Sequence, residues 1–293
     1  MVDEGSLSTD PPEGAPTRPM FGHGLKDRSI LVVGASAGIG RCFAELALAQ
    51  GGRVVATSRR ADRLESLVGH SAHGHAVAGD VRNAEDCRRM VAEAVGALGQ
   101  IDVVLYSAGV APLRPMTSTT DEDWASVLET HVIGVHHIVQ AVLGHLSPAA
   151  VVMVLSSETV GTPRTGLGAY GASKAALEET VGAWRNEHPL LRFSTAAIGA
   201  TFPTEFGHAF DPDLLTETLN DWTRRGLMTE RMLSPEDVAG TLVGILATAL
   251  DYPGVGLEHI VVRPNSPVLG TSWGPATTRE DLLARQREGL GSS

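Results

Sequence analysis

The chain has 293 residues, 43% of them hydrophobic, with 34 acidic residues against 23 Lys and Arg, for a formal net charge of -11. That length suits one large α/β domain or two small ones, and the acidic balance with scattered basic residues excludes nucleic acid or an anionic membrane as the main partner. No apolar run approaches the roughly 18 residues that a membrane span needs, and Cys42 and Cys87 lack metal-type spacing, so a reduced, cytoplasmic protein is expected.

Residues 1–26 hold Pro, Gly and acidic residues without the basic and apolar regions of a secretory signal, and are expected to form a flexible tail. The first predicted element is the apolar run from Ser29 to Val33. It flows through Gly34, Ser36, Ala37, Gly38, Ile39 and Gly40 into residues of helical composition from Arg41 to Gln50. Glycines let backbone N–H groups approach a pyrophosphate, and the helix N-terminus adds partial positive charge. A tight strand-to-helix turn without a ligand has the same look. The second strand, Arg53 to Ser58, ends in a hydroxyl followed by Arg59 and Arg60, and its acidic slot is empty. A carboxylate there would bond a ribose 2′-hydroxyl, whereas a guanidinium suits a 2′-phosphate. Arg59 therefore favours NADP(H), with NAD(H) the second choice; the other reading is a solvated helix start at Arg60.

A third strand runs from His75 to Val81 with Asp80 at its end. The nearby His70, His73 and His75 match no zinc spacing, and no metal site is expected. The fourth, from Ile101, leaves through Tyr106, Ser107, Ala108 and Gly109, where the glycine permits close backbone approach. A helix from about Asp121 carries Trp124, Val127, Leu128, His131, Val135, Ile138 and Val142 at helical spacing.

Val151 to Ser157 is β-branched and apolar and ends in hydroxyls, as a buried parallel strand with a polar end should. Ligands of open α/β sheets gather at such ends. Beyond a loop containing Gly and Pro come Tyr170 and Lys174, which share a helix face. Moving a Tyr from a pKa of about 10 towards neutrality needs about 4 kcal/mol. One cation about 5 Å away, at an effective dielectric of about 20, gives roughly 3 kcal/mol. A second positive centre such as an oxidised nicotinamide ring makes up the rest. The same spacing also suits an ordinary amphipathic helix in which the Tyr packs and the Lys snorkels.

A sixth strand spans Arg192 to Gly199, and Thr201 and Thr204 follow it. Residues 206–232 mix apolar side chains with charges. Ser234, Pro235, Glu236 and Asp237 make a strong helix start. Leu257 to Pro264 closes the sheet, so the domain is expected over 27–265 and a loosely ordered tail over 266–293.

The loop with Gly34, Gly38 and Gly40, followed by Ser157 at a matched interval before Tyr170 and Lys174, resembles the short-chain dehydrogenase/reductase family in its single-domain branch. The resemblance covers about Ser29 to Pro264. It implies a doubly wound Rossmann fold, a mainly parallel sheet flanked by helices, and hydride transfer between nicotinamide and a small-molecule carbonyl or secondary alcohol. Tyr170 would be the general acid/base, Lys174 would lower its pKa and hold the nicotinamide ribose, and Ser157 would orient the substrate oxygen. Asp80 would contact the adenine with Val81 beside it, while Ser107, Ala108, Gly109 and Gly199 would border the dinucleotide and Thr204, or its rival Thr201, would bond the carboxamide. Residues 206–232 would form a lid, whose apolar side chains hint at a hydrophobic substrate. Assembly as a homodimer or homotetramer would use the helix bearing Tyr170, and Ala175, Ala176, Leu177, Val181 and Trp184 are compatible with that. The chain departs from the family pattern at several places: Ala37 replaces a second basic residue, Tyr106 and Ser107 replace paired asparagines, and Ile198 replaces a proline. His131 stands where an asparagine completes a tetrad with Ser, Tyr and Lys. These departures leave room for a dinucleotide-binding regulator that performs no chemistry. A dehydratase or epimerase relative would be longer, with a separate substrate domain and a Gly-x-x-Gly-x-x-Gly loop.

Overall fold

The computed structural model describes residues 24–69, 71–205 and 210–269. Seven strands form one parallel sheet: β1 (Ser29–Val33), β2 (Arg53–Ser58), β3 (Gly74–Ala78), β4 (Ile101–Tyr106), β5 (Leu146–Ser157), β6 (Arg192–Ile198) and β7 (His259–Val262). Their order is β3-β2-β1-β4-β5-β6-β7. The order reverses between β1 and β4, which creates a crevice at the carboxyl ends of those two strands.

Strand side chains alternate between faces, and two separate cores follow from that. Ile30 and Val32 pack towards Phe43 and Leu246, on the side of α1 (Gly38–Ala49) and α8 (Pro235–Asp251). Leu31 and Val33 pack towards Met90, Ile138 and Leu177, on α3 (Ala84–Leu98), α5 (Gly134–Val142) and α6 (Gly168–Glu187). The sheet is thus covered on both faces, which explains its almost unbroken apolar strands.

Three boundaries differ from the sequence expectation. Leu25, inside the stretch read as a tail, is fully buried, and its N–H donates to Gln50 Oε1. At the other end the backbone of Glu230 donates to Pro267, that of Leu269 donates to Met228, and Val268 bridges Thr229. The remainder of both tails lies outside the described residues. The helix expected from Asp121 is interrupted: α4 (Asp121–Leu128) passes into a π turn over Glu129–Ile133 before α5 begins. A π turn widens the backbone and frees a carbonyl, and Tyr106 takes it, its hydroxyl donating to Thr130 O at 2.6 Å.

Of the helix residues thought compatible with assembly, Leu177 and Val181 are buried in this chain's own core. Trp184 stacks with His188 at 5.5 Å. Ala175 is exposed. Among the described residues no helix is long and apolar enough to cross a membrane.

Candidate active site

Four of the predicted side chains converge beside the carboxyl ends of β4 and β5. Ser157 ends β5, and its side chain hydrogen-bonds the Tyr170 phenol. One helical turn on, Lys174 places its Nζ 5.8 Å from the centre of the Tyr170 ring. His131 meets the same ring edge-on, at 5.6 Å between centroids and 84°. Burial pushes the Tyr170 phenol up to about 12, opposed by the Ser157 hydrogen bond and the Arg164 charge. Burial also pulls Lys174 down to about 7, against the attraction of Glu178. Desolvation is thus the largest effect on both groups, and it opposes the lowering of the phenol that Lys174 and a second positive centre would give together.

His131, which stands at the position of the family's tetrad asparagine, has both ring nitrogens engaged by protein groups. The Ser173 hydroxyl donates to Tyr170 O at 2.7 Å, so its oxygen is left to accept from His131 Nδ1 at 2.8 Å. His131 Nε2 then accepts from the Val110 N–H at 3.1 Å. Both ring nitrogens are used by a neutral imidazole. Burial, and then the Lys174 charge, hold this imidazole well below its usual pKa. The ring joins the β4 exit turn to the helix of Tyr170 and Lys174. Lys174 Nζ itself donates to Leu155 O at 2.8 Å.

The glycine loop packs directly on that exit turn. A side chain at Gly34 would put its Cβ 2.5 Å from Ala108 N, and one at Gly40 would strike Gly34 O and come within 3.1 Å of Ser107 Cβ. Gly38 has φ of 55° and open space around it. Ala37 is the N-cap of α1 and has no side-chain cap, while Ile39 is in the first turn. The first-turn N–H groups therefore face no competing side chain, which is the donor set a pyrophosphate requires. Gly109 lies between the two halves of the site: a Cβ there would be 3.4 Å from His131 Nε2 and 4.0 Å from Lys174 Nζ.

At the far end of the crevice the two arginines separate. Arg59 is exposed and acts on Asp80 only through its charge. Arg60 turns inward, and its Nε and Nη2 reach Ser36 Oγ at 3.1 and 2.7 Å. Its backbone N–H donates to Ser58 Oγ at 3.1 Å. Asp80 chelates Arg82, whose hydrogen bonds hold the carboxyl below its usual range. Val81 is buried, its carbonyl 3.3 Å from His137 Nδ1. Beyond β6, Thr201 Oγ1 donates to Gly199 O at 2.9 Å and the Thr201 backbone bridges Leu233. Thr204 is half-buried in the same segment. Of the expected lid, residues 206–209 lie outside the described residues, and α7 (Pro212–Arg224) makes up much of the rest.

Sequence reasoning passed over Thr159, Ser173, Leu113 and Leu167. Thr159 donates to Ser157 Oγ from its N–H at 3.2 Å and from its hydroxyl at 3.0 Å. Ser173 carried a readable signal, because a serine inside a helix often turns back to a carbonyl one turn earlier. Leu113, Leu167, Trp222 and Met228 form an apolar cluster around Tyr170 that residues from α7 and Leu269 join. Trp222 is fixed by its Nε1 donating to Thr165 O at 2.9 Å and by the Arg164 guanidinium 5.7 Å from its ring.

A family model described as short chain dehydrogenase matches residues 28–211. The chain is 26% identical over 254 residues to an uncharacterized oxidoreductase of Listeria monocytogenes, covering 83% of this chain and 98% of that one. It is 32% identical over 154 residues to the NADP-dependent 3-hydroxy acid dehydrogenase YdfG of Shigella flexneri, covering 51% of this chain and 62% of that one. A crystal structure titled as a short-chain glucose/ribitol dehydrogenase from Brucella melitensis superposes with a TM-score of 0.72 at 24% identity, over 83% of this chain and 97% of the other.

Proposed function

This chain belongs to the short-chain dehydrogenase family, and on that premise we propose that it is an NADP(H)-preferring reductase of a hydrophobic carbonyl compound. The bound dinucleotide supplies the hydride. The chain's part is to hold the carbonyl oxygen, deliver a proton to it and keep water away.

The observation that carries this reading is the Tyr170 phenol hydrogen-bonded to Ser157 within the same cluster as Lys174. With its pKa pushed up to about 12, Tyr170 keeps its proton at neutral pH, and the positive charges of Lys174 and an oxidised nicotinamide ring would bring the phenol back towards the range in which it can pass that proton on. Ser157 orients the oxygen that receives the proton, and Thr159 holds Ser157 in place. Lys174 gives the site its positive charge when protonated and would hold the nicotinamide ribose. The wall of Leu113, Leu167, Trp222 and Met228 excludes water and favours an apolar substrate. For the dinucleotide, the uncapped start of α1 suits the pyrophosphate and Arg60 beside Ser36 suits a 2′-phosphate. The NADP dependence in the name of one relative agrees with that preference.

A dinucleotide-binding regulator without chemistry is the second reading, and the altered Tyr106 and His131 were its grounds. Both side chains have full sets of partners that keep the π turn and the cluster together, which favours the enzyme. The test is a panel of ketones with NADPH and NADH on the native chain and on Tyr170→Phe. Turnover should drop by about 10²- to 10⁴-fold in the variant, with NADPH binding almost unaltered. A variant of undiminished activity would sink the proposal.

A further inference from the structure

Glu205 lies beyond β6, yet its carboxylate reaches the start of α2 (Ala61–Val68) on the other side of the glycine loop. Oε2 takes Arg60 Nη1 at 2.6 Å, and Oε1 takes Arg63 Nη1. Arg60 spends its remaining edge on Ser36 Oγ. Two guanidiniums, one of them already anchored to the loop that would carry the pyrophosphate, thus converge on a single internal anion.

We propose that Glu205 occupies the seat of a 2′-phosphate on Arg60 and Arg63, and so competes with phosphorylated dinucleotides for them. The proposal rests on the dinucleotide reading given above and adds a residue that tunes cofactor choice. Three observations carry it. Arg60 and Arg63 are one helical turn apart and present a paired, fork-shaped donor set, which fits phosphate as well as carboxylate. The set holds two positive charges against one negative, so exchanging the carboxylate for a phosphate group brings the local charge closer to balance. The groups are also partly exposed, with side-chain accessibilities of 40% for Arg60, 41% for Arg63 and 33% for Glu205. Pairs in that setting are weak, which makes Glu205 a displaceable occupant. A cofactor without the 2′-phosphate leaves Glu205 where it is and gains nothing from its removal.

Binding should be measured by titration calorimetry on the full chain and on Glu205→Gln, which keeps the side-chain shape and drops the charge. The ligands are adenosine 2′,5′-bisphosphate, AMP, NADPH and NADH. In the variant the two 2′-phosphorylated ligands should bind about fivefold more tightly, and AMP and NADH should change by less than about twofold. Unchanged or weaker binding of the 2′-phosphorylated ligands would overturn the proposal and make Glu205 a clasp over the cofactor. Equal tightening of AMP would overturn it as well. A thermal melt of each protein, with Glu205→Ala as a second variant, separates a binding change from a folding defect. If the native chain binds none of the dinucleotides, the function proposed above fails together with this inference. If it favours NADPH and Glu205→Gln does not increase that preference, only the competition fails.

Discussion

His131 Nδ1 lies 2.8 Å from Ser173 Oγ, and the direction of that hydrogen bond is fixed because the serine's own proton goes to Tyr170 O. The imidazole is neutral and carries its proton on Nδ1. Long-range 1H–15N spectra should show that tautomer from pH 5.5 to 8 without titration. A ring that charges near pH 6 would contradict the arrangement. Because the folded-state pKa is depressed, the unfolded chain takes up a proton first, and this residue's contribution to stability is lost as pH falls below about 6.5. His131→Ala leaves the part-buried Val110 N–H and the buried Ser173 without their partner and should cost about 2 kcal/mol or more in denaturant melts.

Lys174 pays for its burial with a pKa of about 7, below the value of about 10.4 in an unfolded chain. The cost of burying the ammonium is therefore fully present below pH 7 and gone above roughly pH 10.4. Lys174→Met should abolish turnover while raising stability at pH 6 by about 2 kcal/mol or more, the gain shrinking as pH approaches 10. Equilibrium unfolding at pH 6, 8 and 10 measures it. A gain that does not vary with pH would show that the buried ammonium is not the source.

Two of the loop glycines should behave differently on conversion to alanine. Gly40→Ala drives a methyl into Gly34 O and should leave little folded protein. Gly38→Ala meets open space and faces only the penalty of φ at 55°, about 1 kcal/mol. It should fold, with its loss appearing in NADPH titration because the loop must admit a pyrophosphate closely. Equal melting temperatures for the two variants would contradict the packing of Gly40 described here.

Trp222 is 6% exposed and sits in the cluster that covers Tyr170. Trp222→Ala should cost about 3 kcal/mol and open the phenol to water. For an apolar ketone, KM should rise more than kcat falls; an unchanged KM would remove α7 from the substrate wall.

Much of the fold was legible because its signals are local. Each buried strand is a short apolar run, the glycine loop lies between a strand and a helix, and Ser234, whose hydroxyl accepts from Asp237 N at 3.0 Å, announced α8 by its cap. Tyr170, Lys174 and Ser157 were legible as a set of residue types at a fixed interval. What could not be read depends on partners far away in the chain. Nothing next to His131 announces Val110 or Ser173, and nothing next to Glu205 announces Arg60. The π turn was hidden for the same reason, since the group that takes its freed carbonyl is Tyr106 on β4. Arg59 and Arg60 are adjacent in sequence, and only the start of α2 decides which of them turns inward.

The floor of the glycine loop is borrowed from much later in the chain. Ser107 N donates to Val33 O at 2.8 Å, and Ala108 backs directly onto Gly34. During synthesis the ribosome releases β1 and its loop well before β4, so a nascent chain that ends before Ser107 holds the glycine loop but not the surface that shapes it. Affinity for the dinucleotide must therefore arise only once the two halves of the sheet have joined, which makes cofactor capture a late reporter of assembly and not a template for it.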